Sequence, residues 1–193
     1  MTLKKKEMAV ITTTTGLDAL RVLFNSMKNV YYISTVNAGL AELAKFDMEL
    51  PVLSDGVTFN TGEANVTKIK LTTGAEWTSV AEAGDSDITF QVASVAGAVA
   101  SILMDKKTSA QVAMTNSVDG KTYKGDGYTT EPKKLAGGLF MTSEAKDSAI
   151  FLPNIEGYSS FVCEQNKPAY FNVKITPLAD ASGANFYIMV PSE

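Results

Sequence analysis

Between residues 57 and 107 the hydrophobic period changes from two to 3.6 with almost no linker on either side, and this constrains the chain to a strand-rich domain with a helix embedded in it. In the run 87–93, Ile88, Phe90 and Val92 alternate with Thr89, Gln91 and Ala93, the pattern of a half-buried strand. The period then lengthens. Val95, Val99, Ile102, Leu103 and Lys106 recur at i, i+4, i+7, i+8 and i+11, the stripe of an amphipathic helix. Ser94 is the N-cap this predicts, and Lys106 and Lys107 in a last turn would complement the negative end of the helix dipole. Ala96, Gly97, Ala98 and Ala100 let a neighbouring backbone approach, so a helix over 94–107 should lie flat against a sheet.

Strand signals continue on both sides. The runs 57–61, 65–72 and 75–80 are separated by the turn residues Thr61-Gly62-Glu63 and Thr73-Gly74, which predicts a three-stranded meander. Within it Thr67, Ile69 and Leu71 share one face and Val66, Lys68 and Lys70 the other. Trp77, the only tryptophan, is read as a core or interface anchor in preference to a ligand platform. Beyond the helix, 111–115 and 121–124 form a hairpin around Asp119-Gly120, and 118–134 reads as a protruding loop closed by Pro132. Strands follow at 138–142, 148–152, 160–164, 169–176 and 185–190. Phe171, Val173 and Ile175 alternate with Asn172, Lys174 and Thr176, giving one wet face, whereas 186–190 has no polar side and should be covered on both, by a sandwich interior or by another subunit.

Upstream, residues 1–15 read as an N-terminal arm, charged at first and β-branched over 8–15. Leu17, Leu20, Leu23, Phe24 and Met27 fit one helical face, a strand follows at 30–36, and 38–45 forms a second short helix. The fold class is therefore mainly β (α+β): a single domain over 1–193, a β-barrel or β-sandwich with a packed helix at about 94–107 and additional N-terminal helical segments.

Composition narrows the function. A chain of 193 residues with 45% apolar and 20% charged side chains can bury a substantial core as one domain. No stretch approaches the roughly 18 apolar residues of a membrane span, and the four apolar residues after Lys4-Lys5-Lys6 are too short for a signal-peptide core, so the expectation is no membrane and no export. Cys163 is the only cysteine, so no disulfide can form within the chain; in its apolar run it reads as a small buried hydrophobe. A net charge of −4 argues against a module that grips nucleic acid by neutralising phosphates, but not against a surface past which it slides.

The absence of histidine removes Ser-His-Asp and Cys-His catalysis and every histidine-containing zinc site. Carboxylates remain as acids, bases or cation ligands: Asp85 and Asp87, Asp119 and Asp126, Glu42 and Glu49, none at a diagnostic spacing. The segment 119–126 lacks the calcium-loop pattern, and 121–127 lacks the P-loop order. Lys124-Gly125-Asp126 and the sequon Asn65-Val66-Thr67 are incidental matches. The chain is thus read as no enzyme, with no catalytic, cofactor-binding or metal residues and no cofactor.

The segment from Asn60-Thr61-Gly62-Glu63-Ala64-Asn65-Val66-Thr67-Lys68-Ile69-Lys70 through Ala75-Glu76-Trp77-Thr78-Ser79, followed by a strand and an Ala/Val-rich helix, resembles bacteriophage major tail tube proteins. Related tubes occur in contractile tails, pyocins and type VI secretion. The resemblance implies a β-barrel or sandwich with a helix on its flank, in subunits that close into rings, commonly hexameric, and stack into a hollow tube. It also implies self-assembly and contact with other tail proteins in a virion assembled in the bacterial cytoplasm. DNA would pass without sequence-specific binding along inner strands, and the arm 8–15 and loop 118–134 would join copies. The alternatives are another virion structural or decoration protein, or a ligand- or carbohydrate-binding β-sandwich with Trp77, Tyr123 and Tyr128 as a stacking platform.

Overall fold

The computed structural model describes residues 27–35, 46–53, 57–145 and 147–190. The arm expected over 1–15 and the helices expected at 17–24 and 38–45 lie outside them, whereas Met27, assigned above to that first helical face, opens a strand. In chain order the elements are β1 Met27–Ile33, β2 Met48–Leu50, β3 Thr58–Asn60, β4 Asn65–Lys70, β5 Glu76–Glu82, β6 Asp87–Val92, α1 Gly97–Leu103, β7 Lys106–Thr115, β8 Thr122–Tyr128, β9 Lys134–Ser143, β10 Ala149–Val162, β11 Tyr170–Pro177 and β12 Tyr187–Met189. The fold is mainly β, with antiparallel pairing throughout and one helix among the described residues.

The principal sheet runs β2-β1-β9-β10-β11-β6-β3 and closes on itself. Just beyond β2, Val52 bridges Val92 of β6, with Leu53 N–H donating to the Gln91 carbonyl at 2.9 Å and Ala93 N–H to that of Pro51 at 2.8 Å. Strands β2, β1, β9, β10, β11 and β6 therefore form a small barrel, and closure removes most of the exposed sheet edge. The alternation read from sequence at β6 and β11 is what fills it: Ile88, Phe90 and Val92 point inward with Phe171, Val173 and Ile175. They meet Val30, Leu50, Leu139, Met141 and Leu152, and Val99, Ala100 and Leu103 of α1 join the same cluster. Each such burial stabilises by about 1.5–3 kcal/mol.

Several expectations are corrected by long-range pairing. The meander does not form: β3 pairs with β6, because Phe59 packs against the core and meets Phe186 edge-on at 5.2 Å, which leaves β4 and β5 as a separate hairpin. The helix spans seven residues, from Gly97 to Leu103, with no side-chain cap; the Ser94 hydroxyl instead accepts from Ala96 N–H at 3.2 Å. Lys106 and Lys107 belong to β7, where pairing with Tyr128 and Gly127 overrides the helical spacing. The protruding loop contains strand β8, which pairs with β7 across a turn that starts at Asn116. Runs 148–152 and 160–164 merge into the single strand β10, whose irregularity at Pro153 and Asn154 bends it without ending it.

Strands β11 and β12 lie along the same side of β10, interrupted by an excursion over 178–186. One carboxylate organises that excursion. Asp180 Oδ1 accepts from Ser182 N–H at 2.7 Å, Ser182 Oγ at 2.7 Å and Ala184 N–H at 3.1 Å, and Oδ2 accepts from Tyr187 Oη at 2.6 Å. These donors, Tyr187 first, lower the Asp180 pKa to about 2. Among the described residues nothing covers the outer face of β12, where Ile188 is 72% exposed and Val190 is exposed too, so no sandwich interior encloses it within them. Cys163 is also exposed, since β10 runs past the barrel at this end and the burial pattern fades after Gly157.

Candidate functional site

The least satisfied parts of the molecule are the two hairpins β4–β5 and β7–β8, each a two-stranded sheet of its own. Every residue of β4 and β5 is exposed, as is most of β7 and β8. Two isolated strands are only marginally stable in water, and among the described residues no further strand pairs with either edge of these hairpins.

Register sorts their side chains into faces. In β7–β8, Met114 stands opposite Tyr123 and Val112 opposite Gly125, which puts Val112, Met114 and Tyr123 on one face. Gln111, Ala113, Thr115, Thr122, Lys124 and Asp126 take the other, where Gln111 Nε2 donates to Asp126 Oδ1 at 3.1 Å and the Thr115 and Thr122 hydroxyls meet at 3.0 Å. Val118 at the tip is 91% exposed. In β4–β5, Thr67 opposes Val80 and Ile69 opposes Thr78, while Lys68 opposes Ser79 and Lys70 opposes Glu76. The second of these faces is tied by Lys68 Nζ to Glu76 Oε2 at 3.0 Å. Trp77 sits at the irregularity between those pairs and is 69% exposed, so it is no part of the core. In β7–β8 the face of Val112, Met114 and Tyr123 is apolar and nothing among the described residues covers it, whereas in β4–β5 the exposed apolar side chains are divided, Ile69 and Val80 on one face and Val66 with Ala81 on the other.

The carboxylates singled out by sequence do not converge. Asp87 pairs with Lys174 at 3.4 Å, Asp126 with Lys106 at 2.7 Å, and Glu49 accepts from Asn29. Asp119 closes its turn by accepting from Lys121 N–H at 3.0 Å and Tyr123 Oη at 3.2 Å; Asp85 lies exposed beside the first hairpin, and Glu42 is outside the described residues. The Lys106 ammonium and the Gln111 amide hold the Asp126 carboxyl below the usual range. Among the described residues no group of three or more His, Cys, Asp or Glu side chains is placed to hold a metal ion, and no helix is long and apolar enough to cross a membrane. The aromatic platform is not assembled either: Trp77 and Tyr123 sit on different hairpins, and Tyr128 packs against the barrel core.

One surface was missed in the sequence. Tyr31, Phe140, Phe151 and Tyr187 stand in register across β1, β9, β10 and β12 on the outside of the barrel. Phe46 stacks on Tyr31 at 4.7 Å and on Phe140 at 5.3 Å, and beside them opens a groove of about 580 Å³ that also reaches Met189 and Val190. Only the strand order places these residues together, so no local signal could have found them. No family model and no curated protein matches the chain.

Proposed function

We propose that the chain is a structural subunit of a phage tail or tail-like particle, whose copies join into rings that stack into a tube for DNA passage. The observation that carries this is the pair of hairpins beside a closed barrel, each a two-stranded sheet with exposed large apolar side chains, among them Trp77 and Val80 on one and Val112, Met114 and Tyr123 on the other. A barrel has little edge to offer, so the means of joining copies are concentrated on the hairpins. Strands added edge to edge, copy after copy, make head-to-tail contacts, and these close into a ring when the rotation per copy divides a full turn. In such a ring the apolar face of β7–β8 turns toward protein, and the Lys68–Glu76 pair of β4–β5 stays at water. The net charge of −4 suits a wall that lets a polyanion pass without holding it by counterion release. In this reading the partners are other copies, neighbouring tail proteins and transient DNA, the location is the virion, and there is no catalytic role.

The test is light scattering over a concentration series with negative-stain imaging of the same sample. Rings or stacked tubes are expected; a protein that stays monomeric at every concentration and with an added tail initiator would overturn the proposal.

A further inference from the structure

The hairpins leave the barrel through necks, and at the first neck two backbones cross with no room for a side chain. Gly62 lies at φ +74°, and a Cβ there would stand 2.5 Å from the Asp85 carbonyl oxygen and 2.7 Å from the Gly84 carbonyl carbon. Opposite it, a Cβ on Gly84 would overlap the Glu63 carbonyl oxygen and lie 3.0 Å from the Glu63 nitrogen. The Asn60 side chain fixes the crossing by accepting from Gly62 N–H at 2.9 Å. This differs from Gly74 in the distal turn, where φ is +84° but nothing lies within 4 Å of an added Cβ, so glycine there serves the turn alone.

The second neck is held by a side chain. Where the pairing of β7 with β8 shifts between Lys107 and Gln111, Asp126 bridges the gap, taking Lys106 Nζ at 2.7 Å on one oxygen and Gln111 Nε2 at 3.1 Å on the other. Gly127 lies against Ala110 there, with 2.6 Å between the Ala110 Cβ and one added to Gly127.

We infer that Gly62, Gly84 and Asp126 are positioning residues that hold the two hairpins at set angles to the barrel, so that their exposed apolar side chains reach a neighbouring copy already oriented. A surface that is preorganised loses less freedom on binding, so these residues act on assembly without touching the partner. The consequence for assembly rests on the tail-subunit reading; the orientation does not.

The chain carries its own probe pair, with its single tryptophan, Trp77, on β5 and its single cysteine, Cys163, exposed just past β10. Energy transfer from Trp77 to an aminonaphthalene dye on Cys163, resolved in time on the unassembled protein, reads the first neck directly. A narrow distance distribution is expected in the wild type, and a broad one overturns the inference without any variant. Gly84→Ala and Gly62→Ala should shift or broaden it and raise the concentration at which assembly begins about tenfold or more, with the barrel's thermal midpoint by circular dichroism unchanged. Gly125→Ala, where nothing lies within 4 Å, is the control that should leave transfer as it was. Folded glycine variants with wild-type transfer and assembly would overturn the inference. A wild type that shows the narrow distribution yet never assembles overturns the tail-subunit reading instead.

Discussion

Replacing Val112, Met114 and Tyr123 together by threonine strips the apolar face of β7–β8 while leaving the strand its β-branched residues and putting a favourable threonine pair at 114 and 123. These side chains keep 63%, 69% and 57% of their surface exposed. Complete burial of such a side chain is worth about 1.5–3 kcal/mol, so roughly two thirds of that, about 1–2 kcal/mol each, remains to be gained when another copy covers them. Threonine keeps part of the buried area, which puts the loss at about 2–5 kcal/mol per contact. At about 1.4 kcal/mol per factor of ten, the concentration at which assembly begins should rise ~30-fold to ~3,000-fold. None of the three residues belongs to the barrel cluster, so the unassembled protein should change in stability by no more than about 0.5 kcal/mol. Sedimentation velocity over a concentration series, with urea unfolding followed by circular dichroism, measures both quantities. An unchanged assembly threshold would refute the reasoning, as would a barrel destabilised by several kcal/mol, which would mean that the hairpin is part of the fold and not an addition to it.

Three further outcomes follow from individual residues. Phe90, which is fully buried in the barrel, should cost about 3–5 kcal/mol as Phe90→Ala by chemical denaturation, because the closed barrel cannot collapse around the void. Asp180, whose pKa falls from 3.8 to about 2 on folding, contributes stability that is present above pH 3.8 and lost as pH falls toward 2; an acid titration of Asp180→Asn should lack that component, and no difference from the wild type would remove the 178–186 excursion from the acid response. Cys163 should react completely with a thiol reagent in the folded, unassembled protein, whereas reaction only after denaturant would contradict its exposure at the end of β10.

In the proposed reading, the closed barrel leaves the joining of copies to its appendages. Its interior is filled by side chains from β1, β6, β9, β10 and β11 together with α1. Its outer face carries the aromatic row on one side and lysines on another, Lys134 paired with Glu156 at 2.7 Å and Lys174 with Asp87 at 3.4 Å. Among the described residues the two hairpins and β12 carry large apolar side chains in the open, among them Met114, Trp77 and Ile188.

What the amino-acid sequence determined by itself was the alternation within single strands and the presence of a helix between two of them. The alternation at Ile88, Phe90 and Val92 and at Phe171, Val173 and Ile175 identified two barrel strands and their inner faces, because neighbouring side chains on a strand must point to opposite sides whatever lies across from them. The division of Thr67 and Ile69 from Lys68 and Lys70 likewise held, and so did the existence of a helix after β6. Tertiary structure decided partners and limits. That β3 joins β6, that Val52 closes the barrel onto Val92, and that Lys106 leaves the helix for β7 depend on residues far along the chain, and no window of sequence contains both halves of such a pair. The exposure of Trp77, Ile188 and Cys163 was out of reach for the same reason: an apolar side chain is buried only where another element arrives to cover it, and at those three positions none does within the described chain.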